Sequence, residues 1–541
     1  MAKNINVLKS TALVSAFTML SRVLGLVREM MQSRLIGAKV EQSAFAMAFA
    51  IPNMARKLFG EGALTAAFVP VFKGELEKEG REKAARLARS VMTMVLLMLA
   101  ATVVLCFGGI ECAMRIRAHF GVVESERMLL TVKLVKTLLP YMIFICGAAF
   151  GMGILNSMGR FMASSFMPCL LNIFWIAILA WLALSGVVHE AYPDFLPGIF
   201  PEYSLEQRIH RVAVAILVAG AAQMAFMLWR MSKAGVSPLP LFSGWFSPKA
   251  RLVWKNTAIA AFGAGAVQIS YLVDTALAQL ASGWAAGVIS YAERLMDLPL
   301  GVVGAAFGTV LLPAFAERFA KGDASGAREV FVSSTRNMMF VMVPAAVGLA
   351  ALAPESVSVI YRGGEFDALA VTRVSRAVAC YAVGLAFFGA NKTLVPWFQA
   401  QNDMKTPLKV SVSAVVLNMA LNLCSVLFLP VEWRHVGLAA STVLCSALSV
   451  AALAVLARRM YGDMGYRALF SDLARIVAAS AAMGAVLVGI KVGVAFPYES
   501  GMLWRVFALG AEIAAGGLAY LAAAYVLMPG MRDLRKLRRR R

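Results

Sequence analysis

The sequence predicts an all-α, polytopic membrane protein, and three observations carry that prediction. Of its 541 residues, 60% are apolar and only 15% charged, with a mean hydropathy of +0.73. Soluble domains sit near 45–50% apolar and about 25% charged. The apolar residues gather into runs long enough to cross a bilayer, roughly 20 residues each. The basic residues fall in alternate connections between those runs. The net charge of +22, from 52 Lys and Arg against 30 Asp and Glu, would point to nucleic acid in a soluble chain. In a membrane chain it is what cytoplasmic loops carry, so no nucleic-acid partner is expected.

Fourteen spans are expected, at about 8–32, 43–71, 88–110, 128–155, 162–187, 211–231, 253–281, 284–315, 328–353, 368–399, 407–430, 434–457, 473–496 and 502–528. The first follows two lysines and has no small-residue cleavage site, so it reads as a retained helix. With the amino terminus in the cytoplasm, the loop after span two carries Lys73, Lys78, Arg81, Lys83 and Arg86. The loop after span six carries Lys233, Lys249 and Arg251, with Lys255 close by. The loop after span twelve carries Arg458, Arg459, Arg467 and Arg475, and the tail carries Arg532, Arg535, Lys536 and Arg538 to Arg541. The opposite loops are poor in Lys and Arg, and the longest, 188–210, holds His189, Glu190, Asp194, Glu202 and Glu206. Both termini are therefore expected in the cytoplasm.

An internal repeat organises the spans. Asn156 and Asn402 stand 246 residues apart, as do Asn172 and Asn418, and Phe68-Val-Pro-Val-Phe matches Leu311-Leu-Pro-Ala-Phe at an offset of 243. Six spans, an even number, lie between equivalent positions, which predicts parallel repeats. The expected division is an N-lobe at 1–232 (spans one to six), a C-lobe at 233–460 (spans seven to twelve), two extra helices at 461–528, and a basic tail at 529–541.

Charge inside a span costs about 2.5–3.5 kcal/mol on insertion scales and marks function or pairing. Span one holds Arg22, Arg28 and Glu29. At 100° per residue Arg22 and Glu29 share a stripe, and Gly25 lies midway between the arginines, giving a polar face that includes Ser21. A structural Arg–Glu pair is the competing reading, but the second arginine leaves positive charge over. Span two holds Pro52, Asn53, Arg56, Lys57 and Glu61. Pro52, Arg56 and Gly60 fall on one stripe, and proline bends a span by freeing a carbonyl. The alternative, snorkelling of Arg56 and Lys57 to an interface, weighs equally. Span eight holds Glu293, Arg294 and Asp297, where an internal salt bridge competes with binding. Gly301, Gly304 and Gly308 beyond them read as helix packing. Asp274 in span seven is a candidate for a coupling Na⁺ or H⁺, or a counter-charge for an arginine. Other buried ionisable candidates are Arg336, Arg373, Arg376, Lys392 and Glu512.

Arginines in several spans are best explained by a shared, central cationic cavity. Their planar forks suit phosphate oxygens, which points to an anionic substrate. Seven cysteines form no CxxC pair, four histidines form no HExxH, and no Walker A sequence occurs. No metal or cofactor is expected, and energy would come from Na⁺, H⁺ or the membrane potential.

Ser21-Arg-Val-Leu-Gly-Leu-Val-Arg-Glu, Ile51-Pro-Asn-Met-Ala-Arg-Lys-Leu-Phe-Gly-Glu-Gly-Ala-Leu and Ala67-Phe-Val-Pro-Val-Phe resemble the MurJ (MviN) family closely. So do Gly153-Ile-Leu-Asn-Ser, Tyr291-Ala-Glu-Arg-Leu, Gly308-Thr-Val-Leu-Leu-Pro and Lys405-Thr-Pro. The resemblance implies a lipid II flippase of the multidrug/oligosaccharidyl-lipid/polysaccharide exporter superfamily. It implies a bacterial inner membrane location, with membrane lipids and the cell-wall synthesis machinery as surroundings. It makes Arg22, Arg28, Arg56 and Arg294 the substrate-binding arginines, supported by Ser21, Gly25, Glu29, Asn53 and Glu293, and spans thirteen and fourteen a groove for the polyprenyl tail. Glu29 stands where the family usually has Asp, Ser43 where it often has Asp, and Lys57 where it often has Arg. Alternating access by two rocking lobes is the expected mechanism. The alternatives are another exporter of the superfamily, a membrane enzyme acting on polyprenyl phosphates, for which clustered catalytic acids are not apparent, and a non-transporting scaffold.

Overall fold

The computed structural model describes residues 2–60, 62–191, 201–245, 247–308 and 310–528. Glu61, Asp194 and the basic tail from 529 lie outside the described residues. Contacts divide the chain into two units, Met1–Gln279 with Gly363–Phe366, and Leu280–Arg362 with Asp367–Arg541.

The first unit runs through α1 (Ala2–Ile36), α2 (Val40–Ala55), a π turn (Arg56–Gly60), α3 (Ala63–Lys78), α4 (Arg81–His119), α5 (Glu126–Leu138), α6 (Tyr141–Ser157), α7 (Phe161–Ala191), α8 (Leu205–Lys233) and α9 (Pro248–Ala281), whose last two residues fall past the division. The second runs through α10 (Ala285–Gly308), α11 (Leu311–Ala320), α12 (Ala324–Ala351), α13 (Ala353–Tyr361), α14 (Ala368–Ala400), α15 (Lys405–Phe428), α16 (Val431–Tyr461), α17 (Tyr466–Gly493) and α18 (Met502–Leu527). Among the described residues, ten helices are long and apolar enough to cross a membrane: α4, α5 with α6, α7, α8, α12 and α14 to α18. They match spans three to six and nine to fourteen. The other four expected spans correspond to α1, α2 with α3, α9 and α10, which carry the charges singled out from the sequence.

Prolines break spans read as continuous. Span two becomes α2, the π turn and α3. Pro52 lacks the N–H that would bond back to residue 48, and the helix relaxes into wider turns four residues on, at Arg56. The stripe through Pro52, Arg56 and Gly60 therefore does not continue past Arg56, because a π turn advances more residues per revolution. Span four divides at Pro140 into α5 and α6, while span nine ends where α12 does, and a short helix, α13, follows it from Ala353.

The core of unit 1 is aromatic. Phe68 packs at a tilt against Phe150 with centroids 4.6 Å apart, and Trp175 meets Phe45 and Phe49 edge-on at 5.7 Å. Gly220 lets α8 approach α6, since a Cβ there would lie 2.4 Å from the Tyr141 ring. The division between units falls in the last turn of α9, at 279/280, whereas the lobe boundary was expected at 232/233. Both ends of α9 are tied to unit 1: Lys249 pairs with buried Glu75, and Gln279 Nε2 donates to Ser43 O at 2.8 Å. Residues 363–366 also pack with this unit. Glu365 N donates to Arg34 O at 2.9 Å, and its carboxylate meets Lys39 at 2.5 Å and Arg208 at 3.5 Å.

The α6–α7 turn places Gly159 at φ 75°, and the α14–α15 turn places Asn402 at φ 60°; both residue types tolerate the left-handed region.

In unit 2, Trp397 is ringed by Phe315, Phe319 and Phe331 with centroids 5.0–5.5 Å away. A second core joins Met338, Met339 and Met342 of α12 to Ile476, Met483 and Leu487 of α17 and Tyr520 of α18. The two helices expected to stand outside the lobes are thus packed into unit 2. Lys491 of α17 holds them to α13: its ammonium meets the Glu355 carboxylate at 2.8 Å and Ala351 O at 2.6 Å, and Tyr498 donates to the same Glu355 oxygen at 3.0 Å. Glu355 is only 2% exposed. Replacing Lys491 with Met leaves that carboxylate buried without its cation. A fully buried pair broken this way costs roughly 3–5 kcal/mol, and the part-exposed lysine lowers the expectation to about 2–3 kcal/mol. Thermal unfolding of the purified chain in detergent should show that loss, whereas Lys83→Met, which breaks an exposed pair with Glu79, should leave the unfolding temperature essentially unchanged.

Candidate functional site

The polar face of α1 is a stripe that fits one groove of α7. Phe17, Ser21, Gly25, Arg28 and Gln32 follow one another at helical spacing of four, four, three and four residues. The two helices run in the same direction. Phe17 meets Phe166 edge-on at 5.5 Å, and its carbonyl accepts the Cys169 thiol at 3.4 Å. One turn on, Asn172 Nδ2 donates to Ser21 O at 3.1 Å. Gly25 sits beside the same amide, and a Cβ there would stand 3.9 Å from Asn172 Nδ2, which is ordinary contact.

Arg28 is the centre of this arrangement. One guanidinium nitrogen donates to Asn172 Oδ1 at 3.0 Å, the other pairs with Glu29, and the plane lies over the Trp175 ring with 4.3 Å to its centroid. The side chain is 12% exposed. Its Nε is buried with no acceptor among the described residues. The polar ladder continues inside the protein: Trp175 Nε1 donates to Gln32 Oε1 at 2.8 Å, and Gln32 Nε2 to Gln42 Oε1 at 2.9 Å. Helical geometry had put Glu29 on the stripe of Arg22. Seven residues rise about 10 Å along the axis, so sharing a stripe does not bring them into contact. Glu29 pairs instead with its neighbour Arg28, and Arg22 is exposed with no ion pair among the described residues.

At the π turn, Arg56 folds back onto Asn53, whose Oδ1 accepts from Nε at 3.2 Å and from Nη2 at 3.0 Å. Lys57 reaches α9, where its ammonium lies 5.2 Å from the Tyr271 ring centroid. Asp274 stands one turn further along α9, with the buried Ser270 hydroxyl 3.5 Å from its carboxylate. Arg22, Arg28, Arg56 and Asp274 thus all belong to unit 1. Arg294 and Glu293 belong to unit 2, on α10, with Arg294 exposed and Glu293 half-buried.

Asn172, Trp175 and Gln32 were not singled out as site residues from the sequence. Asn172 was visible as a repeat position. Its mate Asn418 is likewise buried, accepting from Asn422 at 3.0 Å and donating to Thr442 at 3.4 Å. A polar residue in an apolar run, recurring at the repeat offset, was the available signal. Trp175 carried none, because a tryptophan in a span is unremarkable in sequence.

A family described as lipid II flippase MurJ matches residues 32–507. A probable lipid II flippase MurJ of Vibrio cholerae is 31% identical, with 98% of this chain and 97% of that protein covered. The lipid II flippase MurJ of Burkholderia cenocepacia is 29% identical over 81% of each chain. Among solved structures, a lipid II flippase MurJ in an inward closed conformation superposes with a TM-score of 0.73 at 20% identity, over 97% of this chain and 99% of that one. An inward-facing multidrug transporter of the MATE family, in the MOP superfamily, gives 0.63 at 14% identity, over 85% of this chain and 98% of that one. At these identities the structures report the fold.

Two substitutions test the α1–α7 seam. Asn172→Ala removes a bond to a charged group and one to a backbone carbonyl, and should cost about 1.5–3 kcal/mol in thermal unfolding. Gly25→Ala fits the available space and should gain up to about 1 kcal/mol of helix stability. A destabilised Gly25→Ala variant would show the helices to be closer than described.

Proposed function

This chain belongs to the MurJ family of lipid II flippases, and from that premise we propose which of its residues carry the substrate. It is a multi-pass transporter of the bacterial inner membrane, not an enzyme, and lipid II is what it moves. Lipid II is a polyprenyl pyrophosphate bearing a disaccharide-peptide, so its head is anionic and its tail is hydrocarbon. Arg28 is the anchor for the pyrophosphate. Asn172 and Trp175 hold its guanidinium in place, so little side-chain freedom is lost on binding. Glu29 neutralises the charge, and phosphate oxygens compete with its carboxylate for the same guanidinium edge through charge-assisted bonds. The single observation behind this assignment is the buried Nε of Arg28, a donor with no acceptor among the described residues.

Arg22 and Arg56 add positive charge within unit 1. Arg294 and Glu293 are assigned a head-group role from unit 2 on family resemblance. The exposed apolar side chains of α18, Leu503, Trp504 and Phe507, with Val488 and Val492 of α17, are the surface we assign to the polyprenyl tail. The head group moves from the inner to the outer leaflet by alternating access, with both termini in the cytoplasm. An inside-negative potential drives an anion outward by about 2.3 kcal/mol per charge per 100 mV, and Asp274 with Ser270 is the candidate site for a coupling Na⁺ or H⁺. The cell-wall synthesis machinery is the natural neighbour on both sides of the step.

Lipid II translocation in cells depleted of their own flippase tests the assignment. With expression and membrane insertion matched, Arg28→Ala should lower translocation about 10- to 100-fold, the equivalent of roughly 1.5–3 kcal/mol for a charged hydrogen-bonded contact. Arg28→Lys should recover part of it, since an ammonium keeps the charge but not the fork. Parental translocation by Arg28→Ala would remove Arg28 from the substrate path and leave it a structural residue of the α1–α7 seam.

A further inference from the structure

A second cationic site lies in unit 1, away from the polar stripe of α1. α5, α7 and α8 line an open groove of about 420 Å³ whose walls include Lys133, Gln207, His210, Arg211, Ile178 and Val214. Its polar groups gather at one level, near the start of α8. Lys133 Nζ meets Glu206 at 2.8 Å, which neutralises one cation. Arg211 has no carboxylate partner among the described residues. Its guanidinium lies over Tyr203, 4.2 Å from the ring centroid, and 5.5 Å from that of Trp181. Aromatic contact of this kind engages the face of the group and leaves its N–H edge available. The buried Nδ1 of His210 also has no partner among the described residues.

Below that level the lining turns apolar, with Val214 and Ala215 of α8 and Ile178 of α7. Val214 and, one turn beyond the groove, Val218 follow Arg211 along α8 at helical spacing and are 41% and 50% exposed. A cationic rim over an exposed apolar wall, on helices that cross the bilayer, matches a molecule with a monoanionic head and an acyl chain. The local charge balance agrees: Lys133 and Arg211 against Glu206 leaves one positive charge, which one phosphodiester neutralises.

We propose that this groove binds the head group of an anionic phospholipid of the phosphatidylglycerol type, with Arg211 and Lys133 on the phosphate and an acyl chain along Val214 and Val218. The site is separate from Arg28 and does not depend on its role.

Native mass spectrometry of the full chain in detergent tests this, with phosphatidylglycerol and phosphatidylcholine of identical acyl chains as probes. The parent should retain phosphatidylglycerol with a Kd about tenfold lower than that of phosphatidylcholine, the equivalent of roughly 1.4 kcal/mol. Arg211→Gln should abolish the preference. Lys133→Gln should reduce it, and it carries the test alone if Arg211→Gln does not fold. Arg28→Ala should leave the preference unchanged, which separates this site from the pyrophosphate anchor. Equal retention of the two lipids by the parent overturns the proposal, as does a preference that survives both variants. Displacement of the lipid by an equal concentration of inorganic phosphate would identify a free-anion site and overturn the lipid assignment.

Discussion

A guanidinium inside a membrane span has to be satisfied on the spot, because hydrocarbon offers no water to do it. Arg28 meets that demand with three different partners: an amide oxygen from α7, the carboxylate beside it on α1, and the face of Trp175. The neighbouring features follow from it. Asn172 turns its other end to the Ser21 carbonyl, which aligns α1 on α7. Trp175 can lie under the cation only because its own N–H is taken by Gln32, which in turn is held by Gln42 of α2. One buried charge therefore sets the packing of three helices.

The same constraint explains why the site does not simply close on itself. A single carboxylate neutralises Arg28, yet Arg22, exposed on the same helix, has no ion pair among the described residues. A static scaffold would be stabler with matched apolar residues at such positions. Keeping cations in excess fits a protein whose complement of negative charge arrives with the substrate. The contrast with α13, α17 and α18 is instructive. There Lys491, Glu355 and Tyr498 bind one another, and their effect is to seat two helices firmly in unit 2.

Much of this was legible in the sequence. Composition and run length gave the class, and the charged spans were found because Arg22, Arg28, Arg56, Asp274 and Arg294 interrupt apolar runs. The resemblance to the MurJ family rested on motifs around those residues, and the family comparison agrees with it. The paired asparagines and prolines made an internal repeat readable. Other features were not readable. The bend at Pro52 was legible, but not the π turn at Arg56–Gly60 or the fresh helix from Ala63, because hydropathy carries no hydrogen-bond register. The lobe boundary expected at 232/233 rested on a basic loop, while the contacts of Lys249 and Gln279 attach α9 to what precedes it.

Hydropathy, charge placement and motif spacing are properties of residues taken singly or in short windows. They determine the membrane class, the charged spans and the candidate cations without reference to packing. Partners are a different matter. Arg28 and Asn172 are 144 residues apart, and nothing local to either names the other. Only the docking of α1 on α7 decides that Glu29 pairs with Arg28 and not with Arg22, that Trp175 lies beneath the guanidinium, and that Gly25 faces an amide. The reason is geometric: a helical wheel gives direction but not depth or distance, and hydrogen bonding acts only when both agree.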